Sequence, residues 1–201
     1  MAAHQHDHDG AHVHGPECDH DHDHEADDAE REYRAAAFAQ VRQFGDPILR
    51  TPTLAVSRFD QDLRDQVGRM VEIMDAAGGV GIAAPQVGSL TRVAVMLLDE
   101  EHEELTVLCN PRIVWRSDDE EEGVEGCLSI GMASIAVNVM RASAVRVEAQ
   151  DLDGSPLEIE AEGYAARIVQ HEVDHLDGVL MIDRTAADER REALRSLRSR
   201  D

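Results

Sequence analysis

The sequence predicts an α+β fold in which antiparallel sheets pack around a central helix and a further helix closes the C-terminus. Three observations predict it: strand-like apolar runs separated by turn signals, an amphipathic segment before them, and a second helical segment after them whose apolar stripe carries two histidines. Asp60 to about Ala77 comes first, with Leu63, Val67, Met70, Val71 and Met74 on one side. Asp60 stands where an N-cap carboxylate would accept the free N–H groups of the first turn, and Gly78-Gly79 end the helix. Runs at Arg92–Leu98, Leu105–Cys109, Ala144–Ala149 and Leu157–Ala161 read as strands, with Asp153-Gly154 as the turn of a hairpin between the last two. Cys109, at the end of an apolar run, reads as a packed strand residue. A helix over roughly Glu162 to Leu176 follows, stopped by Asp177-Gly178. The last helix, about Ala186 to Arg198, has Leu194 and Leu197 on one side and Arg190, Arg191, Arg195 and Arg198 around it.

Composition separates a tail from this body. Eight of the eleven histidines lie in the first thirty residues, alternating with Asp in strings such as His20-Asp21-His22-Asp23-His24. Such a segment cannot form a core, so residues 1–34 are expected to be a disordered His/Asp-rich tail and 35–201 a single catalytic domain. The net charge is −23; residues 1–32, with eleven acidic residues and one Arg, account for −10 of it. An acidic body argues against general or sequence-specific nucleic-acid binding, which needs a basic surface. No apolar run reaches membrane-spanning length and no secretory signal is visible, so no membrane association and a cytoplasmic location are expected. Three widely spaced cysteines make no disulfide framework, and a reducing compartment would preserve Cys127 as a thiolate.

The chemistry concentrates in Gln170-His171-Glu172-Val173-Asp174-His175, an H-E-x-x-H string within the predicted central helix. Residues four apart share a helix face, so His171 and His175 can reach one ion with Glu172 beside it. A solvated helix face could produce the same string by accident. Tyr164, Ile168, His171 and His175, however, form one stripe at three- and four-residue spacing, which predicts that these positions are buried. Buried imidazoles need partners, and a shared metal supplies them. Cys127, in Glu125-Gly126-Cys127-Leu128-Ser129, offers a third ligand and leaves a fourth tetrahedral position for water. A third segment, Gly79 to Gln86, brings small residues and one polar side chain together; in isolation it reads as a glycine-rich turn after a helix. It is no phosphate loop, because the chain contains no Lys.

Together, in this order, G-x-G-x-A-A-x-Q at Gly79 to Gln86, E-G-C-L-S at Glu125 to Ser129 and Q-H-E-x-D-H at Gln170 to His175 resemble peptide deformylase. The strings Gly45 to Arg50 and Leu176 to Leu180 look like that family's opening and closing segments, so the resemblance covers roughly Phe38 to Arg184. It implies removal of the formyl group from N-terminal formyl-methionine of nascent polypeptides. It also implies one divalent ion, Fe(II) by family pattern, with Zn(II) or Ni(II) compatible with the same ligands. In that scheme water activated by the ion attacks the formyl carbon and Glu172 serves as general base and then acid. The resemblance assigns the Gln86 carboxamide and the Leu128 backbone N–H to the developing oxyanion. It places the peptide as an added strand against Val80 and Gly81 and beside Gly126, with the methionine side chain near Val80, Leu128 and His171. The motif sets a carboxylate two residues before Cys127, and we expect Arg141 to pair with Glu125 and fix that loop. After Ser129 the chain departs from the family: it reads Ile130-Gly131-Met132 without the frequent proline, and the stretch to Arg141 looks about two residues longer.

Two features fall outside the resemblance. The tail has the composition of a weak chelator of Ni, Zn or Cu ions, with Cys18 adding a thiol, and also that of a solubilising segment. The last helix, with Arg200 beyond it, reads either as a solvated helix with paired charges or as a dock for ribosomal RNA. Two other classes of protein share part of this pattern. A zincin-type endopeptidase shares H-E-x-x-H but takes its third ligand downstream, and a metal buffer would explain the tail but not Gln86 or Glu125.

Overall fold

The computed structural model describes residues 31–99, 104–131 and 134–199. The tail as far as residue 30, Met132 and Arg200 lie outside them. Helix α1 is described over residues 31–38, so the last four residues assigned to the tail are helical, and Arg34 Nη2 donates to Ala77 O at 3.0 Å. Helix α2 is Gln61–Ala77; the Asp60 carboxylate accepts from Leu63 N, and Gly78 takes the left-handed conformation (φ 69°) that closes the helix. An N-cap of this kind stabilises a helix by about 1 kcal/mol.

Among the described residues seven strands follow: β1 (Gly81–Ala83), β2 (Val93–Leu97), β3 (Leu105–Arg116), β4 (Glu120–Gly126), β5 (Ala136–Ala142), β6 (Ala144–Gln150) and β7 (Pro156–Glu162). Five form an antiparallel sheet in the order β1-β2-β3-β6-β7, and β4 pairs with β5 alone. Helix α3 (Gly163–Leu176) and helix α4 (Ala187–Arg198) complete the fold. The four expected strands correspond to β2, β3, β6 and β7, and Gly154 (φ 83°) sits in the β6–β7 turn.

The sequence pattern missed three strands and shortened one, each for a physical reason. In β4 the one fully buried side chain is a charged one, Glu125, so no apolar alternation exists to be seen. In β5 an inward Arg141 interrupts the alternation of Val137 and Val139. Strand β1 is three residues long and hides in a glycine-rich segment. Strand β3 runs on through Asn110-Pro111 by way of a register shift between Cys109 and Arg112, with Asn110 at φ 54°. That Asn is held by bonds to Val56 N (2.7 Å), Val56 O (3.0 Å) and Gln150 Oε1 (2.7 Å).

Three apolar clusters hold the elements. Helix α2 packs Val67, Met70 and Met74 with Ile82, Val93 and Val95. Helix α3 packs Ala166, Val169, Val173 and Leu176 on Met96, Leu108, Val145 and Val147 of the large sheet. The third joins Val137 and Val139 to Leu180, Met181, Ile182 and Ala193 of α4. A fully buried side chain of this size contributes roughly 1.5–3 kcal/mol. Cys109 is buried in the first cluster, and burial, with Asp151 adding to it, pushes its thiol up to about 11, as suits an inert packed residue. The opposite face of α3 is polar and meets the β4–β5 hairpin: Gln170 Nε2 donates to Ala142 O (2.9 Å) while its Oε1 accepts from Ala142 N (3.3 Å). The helix thus lies between the large sheet and the hairpin.

Candidate metal centre

Helical periodicity brings His171 and His175 together on α3, ring centroids 4.9 Å apart and planes at 68°. Cys127, in the turn after β4, meets them from the hairpin side. The three ligand atoms lie within 4.8 Å of one another, and Cys127 Sγ is 3.2 Å from His175 Nε2. Cys127, at 4% exposure, and His175, at 1%, are buried, and His171 is largely so. Ile168 is buried as the stripe predicts. Tyr164 is not: at 58% exposure it stands in the first turn of α3, beyond the cover of the sheet, at the mouth of a cleft.

Glu125 and Arg141 are 4% and 5% exposed and form a fork-to-fork pair: Arg141 Nε donates to Oε1 at 2.9 Å and Nη2 to Oε2 at 3.0 Å. Oε2 also lies 3.0 Å from His171 Nδ1, which orients that ring and leaves its Nε2 for the centre. Burial opposes ionisation of Glu125, but bonds from His171 and Arg141 hold its carboxyl well below the ordinary range. Three further residues, not foreseen, complete the network. Arg167 reaches Glu125 Oε1 (2.9 Å), Asp174 accepts from Arg141 Nη1, and Arg184 Nη2 donates to Asp174 Oδ1 (2.7 Å). Arg167 stands one turn before His171 on the polar face of α3, and that spacing was the signal available.

Gln86 sits in a 3-10 turn, Ala84–Val87, directly after β1. Its Oε1 accepts from Ala83 N at 2.8 Å, which turns Nε2 toward Ser129 Oγ (3.3 Å) and Cys127 Sγ (3.8 Å). Ser129, fully buried, was not singled out by sequence reasoning. Val80, Gly81, Gly126 and Leu128 line the same cleft of about 260 Å³, which runs between residues 78–81 and the end of β4 and is also lined by His171 and Glu172 of α3.

Glu172 is 4% exposed and its Oε2 has no hydrogen-bond partner. Burial pushes its carboxyl up to about 7. Burial holds His175 well below the usual imidazole range, assisted by His171 and Arg141, so its ring is neutral and able to donate a lone pair. Burial works against a protonated His171, yet its bonds with Cys127 and Glu125 raise it well above that range. One thiol and two imidazoles around one point, with Glu172 lining the same cleft, fit a borderline divalent cation.

Gly81 makes room for this arrangement: a Cβ there would run into the Glu172 carboxylate, its Cδ 2.9 Å away. With Glu172 in the role that the resemblance implies, Gly81→Ala is expected to leave folding and metal content intact and to lower turnover by about tenfold to a hundredfold, since an ångström's displacement of such a group can cost that much. Steady-state kinetics beside a metal-to-protein ratio checks it.

A family model described as polypeptide deformylase matches residues 38–191. The peptide deformylase of Dictyoglomus thermophilum is 43% identical over 149 residues, 74% of this chain and 94% of that protein. Peptide deformylase 1 of Corynebacterium glutamicum is 42% identical over 168 residues, 81% of this chain and 96% of its own. Among solved structures, a peptide deformylase from Synechococcus elongatus in complex with actinonin superposes with a TM-score of 0.73 at 40% identity, covering 78% of this chain and 85% of that one. That of Thermotoga maritima gives 0.69 at 42%, covering 73% and 96%.

Proposed function

The chain belongs to the polypeptide deformylase family and is a peptide deformylase by that relationship, and from this premise we propose how its own residues remove the formyl group of formyl-methionyl polypeptides. The observation that carries the reading is the convergence of Cys127, His171 and His175, in a cleft that Glu172 also lines. Those three side chains hold one divalent ion, Fe(II) by family pattern and Zn(II) or Ni(II) by ligand chemistry. When bound, the ion supplies Lewis acidity that brings the ionisation of water toward neutral pH. Glu172 takes the proton of the attacking water and returns it to the departing amine, giving formate and a free N-terminus. Gln86 Nε2, aimed by the Ala83 N–H, and the Leu128 N–H stabilise charge on the formyl oxygen. Glu125 and Arg141 support His171. Val80, Gly81 and Gly126 offer backbone to an extended peptide, so main-chain pairing admits many sequences.

The test is formate release from formyl-Met-Ala-Ser by the metallated full chain, set against cleavage of the unformylated peptide. Formate release with no cleavage is expected; peptide cleavage alone would point to an endopeptidase.

The remaining proposals concern the ends of the chain and its location. Among the described residues no helix is long and apolar enough to cross a membrane, and the cytoplasm, where new formylated chains emerge, is the proposed location. The His/Asp-rich segment, residues 1–34, precedes the catalytic unit and binds transition-metal ions weakly. Docking of α4 to ribosomal RNA is proposed for Arg191, Arg195 and Arg198, which are exposed, whereas Arg190 is engaged by Asp183 at 3.1 Å. Because Ala193, Leu194 and Leu197 pack into the third cluster, deleting α4 would uncover the core. The clean variant is Arg191→Glu with Arg195→Glu: ribosome co-sedimentation should weaken, most at low salt, with turnover of a short peptide unchanged.

A further inference from the structure

Among the described residues strand β4 has one strand partner, β5, and its end borders the cleft. Cys127 and Leu128 follow it directly, so whatever holds β4 also aims them. Arg167 reaches it from α3. Its side chain is 11% exposed, Nη1 donates to Glu125 Oε1 (2.9 Å) and Val139 O (2.8 Å), and Nη2 donates to Glu121 O (2.7 Å). The guanidinium lies flat against Gly123, where a Cβ would stand 2.7 Å from Cζ and 2.8 Å from both Nε and Nη2. Any side chain at position 123 is therefore incompatible with Arg167 as placed. The two arginines on Glu125 divide the work. Arg141 ties that carboxylate to Asp174 of α3, whereas Arg167 ties it to backbone carbonyls of both hairpin strands and also lines the cleft.

Resting on the peptide-cleft reading above, we infer that Arg167 is a positioning residue that fixes β4 as one wall of the peptide cleft, and that Gly123 is the gap that admits it. A substrate backbone then meets a wall already in place, and binding need not order it. Loss of the guanidinium fork acts on substrate binding and not on the chemical step, because Arg141 still holds Glu125 on His171.

The experiment uses the metallated full chain with Arg167→Met, Arg167→Lys, Gly123→Ala and the Gly123→Ala/Arg167→Met pair. Arg167→Lys keeps the charge and the apolar stem and guards against a variant that fails to fold. Metal-to-protein ratio, kcat and KM for formyl-Met-Ala-Ser, and hydrogen exchange over residues 120–126 are measured. Both Arg167 variants should keep their metal and a kcat within about twofold, raise KM about tenfold and exchange faster over β4. Gly123→Ala should raise KM alone but add nothing in the Arg167→Met background, since the group it would strike is gone. Unchanged KM and exchange in both Arg167 variants, parallel loss of kcat and metal, or additive effects of the pair would overturn the inference. If the wild-type chain released no formate, the functional reading itself would fall, a result distinct from any of these.

Discussion

Cys127→Ala should lose bound metal and formate release together, with turnover down by at least about a thousandfold. The physical reason is the donor set: without the thiolate only two imidazoles remain, on one helix, and two ligands do not hold a borderline cation against water. The fold should survive, because Cys127 contributes one small side chain to a cluster that retains Leu49, Ile130 and Ile182. Circular dichroism beside elemental analysis separates the two effects. A folded, metallated and active Cys127→Ala protein would remove Cys127 from the ligand set.

Glu172→Ala should show the opposite pattern. On the proposed roles the three ligand residues remain, so metal stays, while the proton carrier is gone, so kcat falls by about 10²–10⁴. The unpartnered Oε2 makes this residue dispensable to the hydrogen bonding of the fold, which is why its loss is expected to leave stability nearly unchanged. Loss of metal together with Glu172 would mean that this carboxylate is a ligand or a support, and the proposed division between binding and chemistry would fail.

The two variants also mark what was legible in the chain. His171 and His175 could be placed because a helix has a fixed period, and that period holds whatever surrounds it. Helix ends at Asp60, Gly78 and Gly178 were legible for the same local reason. Stripe reasoning went astray where it assumed one covering layer: α3 turns apolar residues to the large sheet and polar ones, Arg167, Gln170 and Asp174, to the hairpin. Those polar residues look solvent-facing in sequence and are buried because their partners come from strands more than twenty residues away. Strand β4 was invisible for the complementary reason, since what it buries is Glu125, and a carboxylate announces no core. Family motifs supplied the identity of Glu125, while its surroundings came only with the folded chain. Tyr164 lies at the edge where the helix outruns its cover, a matter of tertiary placement that no periodicity encodes.

The pairing of β4 with a single neighbour bears on how the protein avoids sticking to itself. An open strand edge is a template on which another copy can add. On the β5 side of the hairpin the chain closes the edge with its own last helix: Glu189 accepts from Asn138 N and Nδ2, both at 2.7 Å. On the β4 side the described residues place no helix along the edge, and there the strand presents Glu120, Glu121 and Glu122, all exposed, in succession. Like charges directly opposed across two copies repel, which disfavours pairing of this edge with a second molecule and suits the extended peptide proposed for the cleft.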